Sequence, residues 1–326
     1  MVSKKDQEQQ NELLATANRH ERAILLAYLL TIQKIKDSIN VAELESIITQ
    51  GLPLGVLPTF EQSNLLAELT AVKNSIIDSY TKAGNALAKK LDSAGIYFNQ
   101  VNPELVKIVD TWTNDLITNE VQAIIEGISK AVKDGSIAGV NPITTARKIV
   151  NNIGLTTPQQ TALANYEKNL REGSRQAVNR ALRDRRFDST VLNSIKTKSE
   201  LTEDKINKMV ERYRQRMLKY RAETIARTES LRMVNMANQH LYENALMEGK
   251  IKEGDYKKFW LPKADGRTRH AHLTLPSMNK DGRQINEPFQ SIYGNIMYPH
   301  DPSAPAKNTI NCRCCLIYRL QPEAFM

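Results

Sequence analysis

Apolar residues recur every three or four positions through most of the first 250 residues. Leu13, Leu14, Ala17, Ile24, Leu25, Tyr28, Leu29, Ile32 and Ile35 form one such stripe, so residues 4 to about 50 are expected to be helical. The run Gly51-Leu-Pro-Leu-Gly-Val-Leu-Pro58 breaks the pattern, and Thr59 with Gln62 reads as a capping box that opens a second helix to about Leu91. Asn102-Pro103 opens a third, which contains Trp112 and ends near Gly135, and Asn141-Pro142 opens a short fourth. In Thr157-Pro158-Gln-Gln160 the start signal is clearest: Thr157 as cap, proline at the first helical position, glutamine at the third. From there to Gly249 nearly everything reads helical, with a polar joint at 187–202. After Gly249 the helical period is lost, Gly and Pro become frequent, and strand-like runs appear at 258–261, 292–298 and 315–320.

The expected fold is therefore mainly α: an elongated helical N-terminal region followed by a small α+β C-terminal domain. Three parts are anticipated, a helical assembly region at 1–160, a basic helical region at 161–250 and the α+β domain at 251–326. A chain of 326 residues exceeds one usual domain. Its 41% hydrophobic but only 6% aromatic content, with a mean hydropathy of -0.46, suits long amphipathic helices better than one large globule.

Charge changes the picture. The formal net charge is +9, and residues 163–326 hold 30 Lys+Arg against 19 Asp+Glu, so the basic character lies in the C-terminal half. Such an asymmetry points to a polyanion. Arg180, Arg183, Arg185, Arg186, Arg212, Arg214, Arg216 and Lys219 are the candidate phosphate contacts, and Arg212, Arg216 and Lys219 share one helix face. Aromatics are scarce around them (Tyr213, Tyr220), which favours sequence-independent contact with duplex DNA over base stacking. A solvated basic face, or a surface meeting an acidic protein, remains open beside that reading. The polar opening Met1-Val-Ser-Lys-Lys-Asp carries no secretory signal, and Ala23-Ile-Leu-Leu-Ala-Tyr-Leu-Leu30, the longest apolar run, is too short for a membrane helix, so a chain made in a cytoplasm is expected.

Candidate chemistry collects near the C-terminus. Asp265-Gly-Arg-Thr-Arg269 and His272 offer groups fit for phosphoryl transfer or ester hydrolysis, but no second carboxylate or nucleophile stands at an interpretable spacing, and no glycine-rich phosphate loop is present. Arg227 and Glu229, two apart on a helix, do not face each other; salt bridges to Asp265 or Arg269 are expected instead. Cys312, Cys314 and Cys315 are too close together to staple distant segments, which rules out a disulfide framework. With His270 and His272, Cys312 and Cys314 would satisfy a tetrahedral zinc site, although one residue between ligands is tighter than usual. The other reading is two small buried cysteines, kept reduced, with no cofactor.

The order Glu223-Thr-Ile-Ala-Arg-Thr-Glu-Ser, Trp260, Asp265-Gly-Arg-Thr-Arg with His272, Lys280-Asp-Gly, Tyr298-Pro-His-Asp-Pro302 and Asn311-Cys-Arg-Cys314 resembles the C-terminal domain of the phage Mu F-like minor head, or head morphogenesis, proteins. The resemblance covers the last third of the chain. Of the four possible zinc ligands, His272, Cys312 and Cys314 match its pattern and His270 does not. It implies a structural virion protein and no established catalytic residues, with Arg227, Glu229, Asp265, Arg267, Arg269, His272 and Asn311 in a structural network. It further implies several copies in the capsid interior near the portal, with the portal protein, other capsid proteins and packaged double-stranded DNA as partners and no membrane before infection. A role in DNA packaging or ejection belongs to the same expectation. The competing expectation is an enzyme or toxin-like domain that acts on nucleic acid through the Arg/His/Asp loop.

Overall fold

A computed structural model describes residues 2–91 and 95–321. The chain is mainly α, with ten α-helices among the described residues and four short strands, all after residue 255. It packs into two compact units, one drawn from 1–27, 71–115 and 223–326, the other from 28–70 and 116–222. Neither unit coincides with a single stretch of sequence, because α1 (Lys4–Asp37), α3 (Gln62–Ala88), α4 (Pro103–Ile137) and α8 (Glu203–Met247) each supply residues to both.

Caps set most helix boundaries. The stretch expected as one helix over 4–50 is two, α1 and α2 (Val41–Gln50), because Asn40 turns its side chain onto the N–H groups of Ala42 and Glu43 and starts a new helix. Gly51, at φ 66°, closes α2 in the left-handed conformation that glycine adopts without steric cost. Thr59 does not cap α3; it lies inside a 3-10 turn at Pro58–Phe60, and α3 begins at Gln62. Asn102 caps α4 through the Glu104 N–H, and Asn141 caps α5 (Pro142–Asn152). At α6 (Thr157–Arg171) the capping box is formed by Thr156 and Gln159, one residue earlier than expected. The polar joint is also displaced: 3-10 turns at Arg175–Asn179 and Arg185–Phe187 fill it, and α7 (Asp188–Thr197) lies within the expected gap. The cause is local, since Ser174 and Asp184 accept from the backbone two residues on and offer it an alternative to the helix.

In the unit built from 28–70 and 116–222, Leu155, Leu163, Tyr166, Val191, Met209 and Tyr213 belong to one apolar cluster. Arg221 is buried beside it, giving its guanidinium to Glu120 and to the Gly154 carbonyl, each at 2.7 Å, while the Tyr28 hydroxyl donates to the same carboxylate at 2.8 Å. In the other unit, β1 (Tyr256–Leu261) runs antiparallel to β4 (Cys315–Leu320), with Trp260 opposite Leu316. A second pair, β2 (Phe289–Ser291) and β3 (Gly294–Ile296), was not anticipated as a hairpin; only 294–296 of the run 292–298 is strand. Short helices α9 (His270–Met278) and α10 (Ala306–Thr309) complete it.

Candidate functional site

Residues 228–242 of α8 are buried without interruption. A helix satisfies its own backbone, so buried polar side chains on it must find partners elsewhere. Seven of these fifteen residues are Thr228, Glu229, Arg232, Asn235, Asn238, Gln239 and His240, and each has one. The partners are largely backbone groups of the last thirty residues. Asn235 accepts from the Leu316 N–H at 2.8 Å and donates to the Cys314 carbonyl at 3.3 Å, and Asn238 donates to the Leu316 carbonyl at 2.8 Å. Gln9 of α1 continues the row, exchanging bonds with the Tyr318 carbonyl and N–H. Side-chain amides thus occupy the edge of β4 that β1 does not, and blunt an edge otherwise available to another strand.

Above this row α8 grips two residues in the left-handed region, His300 (φ 69°) and Asn311 (φ 56°). Such non-glycine conformations cost about 1–3 kcal/mol each and persist where surroundings over-determine them. The His300 carbonyl accepts from Arg232. The Asn311 N–H donates to the Thr228 hydroxyl at 3.0 Å and its side chain accepts from Arg227 at 3.2 Å. Arg227 also meets Glu21, and Glu229 pairs with Arg232 and accepts from the Trp112 indole at 2.8 Å. The expected bridges from Arg227 and Glu229 to Asp265 or Arg269 are replaced by these contacts, because the 265–269 loop turns toward the chain ahead of β4 instead. Asp265 pairs with Arg313 at 2.6 Å and accepts from the Arg267 N–H and the Thr268 hydroxyl; Arg269 donates to the Ile310 carbonyl at 2.6 Å. The Arg313 guanidinium and these bonds hold the Asp265 carboxyl below its ordinary range, against the opposing effect of desolvation. In Tyr298-Pro-His-Asp-Pro302, Asp301 accepts from the Met297 and Ser303 N–H groups and fixes a turn.

Beneath the loop, the His272 Nδ1 lies 3.4 Å from both the Cys312 and the Cys314 Sγ, and all three residues are buried. The structure joins these three and leaves out the fourth expected ligand: His270 is exposed at the start of α9. A hydrogen bond from Cys314 pulls the Cys312 thiol down, and burial pushes Cys314 and Cys315 up. His300, also buried, has its pKa lowered by desolvation and donates from Nε2 to the Cys312 carbonyl at 3.0 Å. Lys258, fully buried, is lowered to about 8 by burial and donates to the Met297 carbonyl at 2.9 Å.

The basic residues divide. Arg183 is held bidentate by Asp188, both bonds at 2.8 Å; Arg186 and Arg216 share Asp184; Arg214 pairs with Glu211 and donates to the Asn151 carbonyl. The Arg186 hydrogen bond takes the Asp184 carboxyl down to about 2. Arg180 is half-buried, whereas Arg185, Arg212 and Lys219 are exposed.

Sequence reasoning passed over Asn235, Asn238, Gln239 and His240. The signal that could have found them is the charge content of 230–242, where Arg232 is the only Lys, Arg, Asp or Glu; a helix without a charged face is a buried one.

The family described as Phage Mu protein F like protein matches residues 126–317, a span that contains α8 and every element from β1 to α10. A curated relative, the Minor head protein GP7 of Bacillus phage SPP1, is 37% identical over 105 residues, covering 32% of this chain. The chain spans less than a third, 31%, of that relative's length. No solved structure matches it significantly.

Proposed function

Because the chain belongs to the Phage Mu protein F like family, matched over more than half its length, we propose that it is a minor head protein of a bacteriophage, a structural part of the virion. The observation that carries this reading is the use to which the motif residues are put. Arg227, Asp265, Arg269, Asn311, Cys312 and Cys314 bond to one another's segments or to backbone. Such an arrangement supports a scaffold that holds an irregular segment against a helix, and the name of the SPP1 relative agrees with it.

The reading extends to location and partners. A place in the capsid interior near the portal, with portal and capsid proteins as neighbours, is supported by apolar side chains that α1 and α4 leave in solvent: Leu26, Leu30 and Ile137 are 48%, 68% and 77% exposed. Amphipathic helices commonly use such residues against partner helices. Contact with packaged DNA, and a part in its packaging or ejection, is supported by the exposed cations Arg185, Arg212 and Lys219. Protein analysis of purified heads tests the core of the proposal: the chain should be a constant minor component, and its absence would refute a structural role.

A further inference from the structure

The three donors buried beneath the 265–269 loop are placed as metal ligands are placed. A tetrahedral zinc ion takes thiolate sulfur at about 2.3 Å and imidazole nitrogen at about 2.0–2.1 Å, which sets the sulfur-to-nitrogen edge near 3.5 Å. The two edges from His272 Nδ1, to Cys312 Sγ and to Cys314 Sγ, are both 3.4 Å, and all three ligand atoms lie within 4.8 Å of one another. No fourth His, Cys, Asp or Glu joins the group among the described residues.

A second observation concerns the other face of the imidazole. His272 is 2% exposed, and its Nε2 has no hydrogen-bond partner. Of its two ring nitrogens, Nδ1 is thus the one with partners, and those are the two cysteine sulfurs. In this orientation Nδ1 is free to coordinate an ion while Nε2 keeps the ring's proton.

The arms are fixed independently of any ion. Cys312 and Cys314 flank the corner between Asn311 and β4, and the Cys314 N–H points at the Cys312 Sγ at 3.4 Å, a bond that supports a thiolate. His272 stands at the third position of α9, and the chain on either side of the pair is tied by Asp265 to Arg313 and by Arg269 to the Ile310 carbonyl.

We propose that His272 Nδ1, Cys312 Sγ and Cys314 Sγ bind one zinc ion, with a solvent molecule as the fourth ligand. Two thiolates and an imidazole in tetrahedral order select zinc over hard cations such as magnesium or calcium. The ion would fasten α9 to the corner that launches β4, across about forty residues of chain, and its binding would add to folding stability. The site does not depend on the head-protein reading and stands or falls without it.

Elemental analysis of the full chain, purified from zinc-replete cells without chelator, should find one zinc per chain. X-ray absorption on that wild-type protein should show two sulfurs in the first shell, the remainder nitrogen or oxygen, and a strong chelator should lower its melting temperature. Cys312→Ser and Cys314→Ser should lose the metal, whereas His270→Ala should retain it and His272→Cys should preserve a tetrahedral thiolate site. Wild-type protein that contains no zinc and takes up none on reconstitution overturns the proposal. So does full zinc content in both serine variants; copper(I) in place of zinc overturns the choice of metal.

Discussion

Asn235, in the middle of a helix, receives the N–H of Leu316 at 2.8 Å and so takes the position that a neighbouring strand would hold beside β4. Because Asn238 and Gln9 extend the same row, the edge of the last strand is paired by side chains from two helices. The C-terminal segment is thereby specified by polar contacts that a purely apolar helix face could not supply.

Replacing Asn235 by leucine keeps the number and branching of the side-chain heavy atoms and removes the pairing. The Leu316 N–H and the Cys314 carbonyl would then be buried without this partner, at about 1–3 kcal/mol for each unsatisfied group. Equilibrium denaturation should show that loss. An exposed control, Asn207→Ala, should stay within about 0.5 kcal/mol of the parent. Equal stability of N235L and the parent would show that the row is incidental.

Glu229 and Arg232 are 4% and 3% exposed at the side chain, and they join α8 to Trp112 and to His300. Removing either alone strands a buried charge, so Glu229→Gln or Arg232→Ala should cost about 3–5 kcal/mol. The double variant should cost less than the two single losses together, because neither charge is then left alone. Strict additivity in a double-mutant cycle would mean that the pair is not coupled.

His240 gives a pH dependence with a definite sign. Its Nδ1 lies 2.7 Å from the Tyr80 hydroxyl, and burial lowers its pKa from 6.5 to about 4. Between those values the unfolded chain binds a proton that the folded chain refuses, so stability rises with pH across the window and is lost as pH falls through it. One such residue contributes up to about 1.4 kcal/mol per pH unit. His240→Gln should flatten the profile between pH 6.5 and 4 by that amount; parallel profiles would place the titration elsewhere.

The arginines separate stability from binding. Arg183 spends its guanidinium on Asp188, so Arg183→Ala should lower the melting temperature. Arg185 and Arg212 are exposed, and neutralising both should leave melting unchanged. The same pair should weaken DNA binding uniformly across sequences and reduce the salt slope by about 0.9 for each phosphate that is no longer neutralised. A salt-independent affinity, or none at low ionic strength, would leave the basic surface to an acidic protein.

How much could be read beforehand depended on whether a feature was local. Three/four spacing located the long helices, and Asn102 and Asn141 announced their caps, because these signals lie within a few residues of what they control. The paired strands were legible as short aromatic and aliphatic runs at 258–261 and 315–320, the first of which extends two residues further, to Tyr256. The convergence of His272 on Cys312 and Cys314 was legible as chemistry, and the family pattern already omitted His270; the physical reason, its exposed place at the start of α9, was not legible. The amides of α8 look like ordinary surface residues until β4 is laid against them. The charged run near Asp184 is divided in a way that a count of cations does not show: Asp188 holds Arg183, and Asp184 holds Arg186 beside it and Arg216 from α8.

The claim that the chain is a structural component of the phage head is tested most directly by quantitative mass spectrometry of purified heads from the phage that encodes it. The account predicts this chain in every preparation, at a fixed ratio far below that of the major capsid protein, and depleted when the only copy carries the destabilising Arg232→Ala. Heads that lack the chain while the infected lysate contains it, or a ratio that varies freely between preparations, would contradict it.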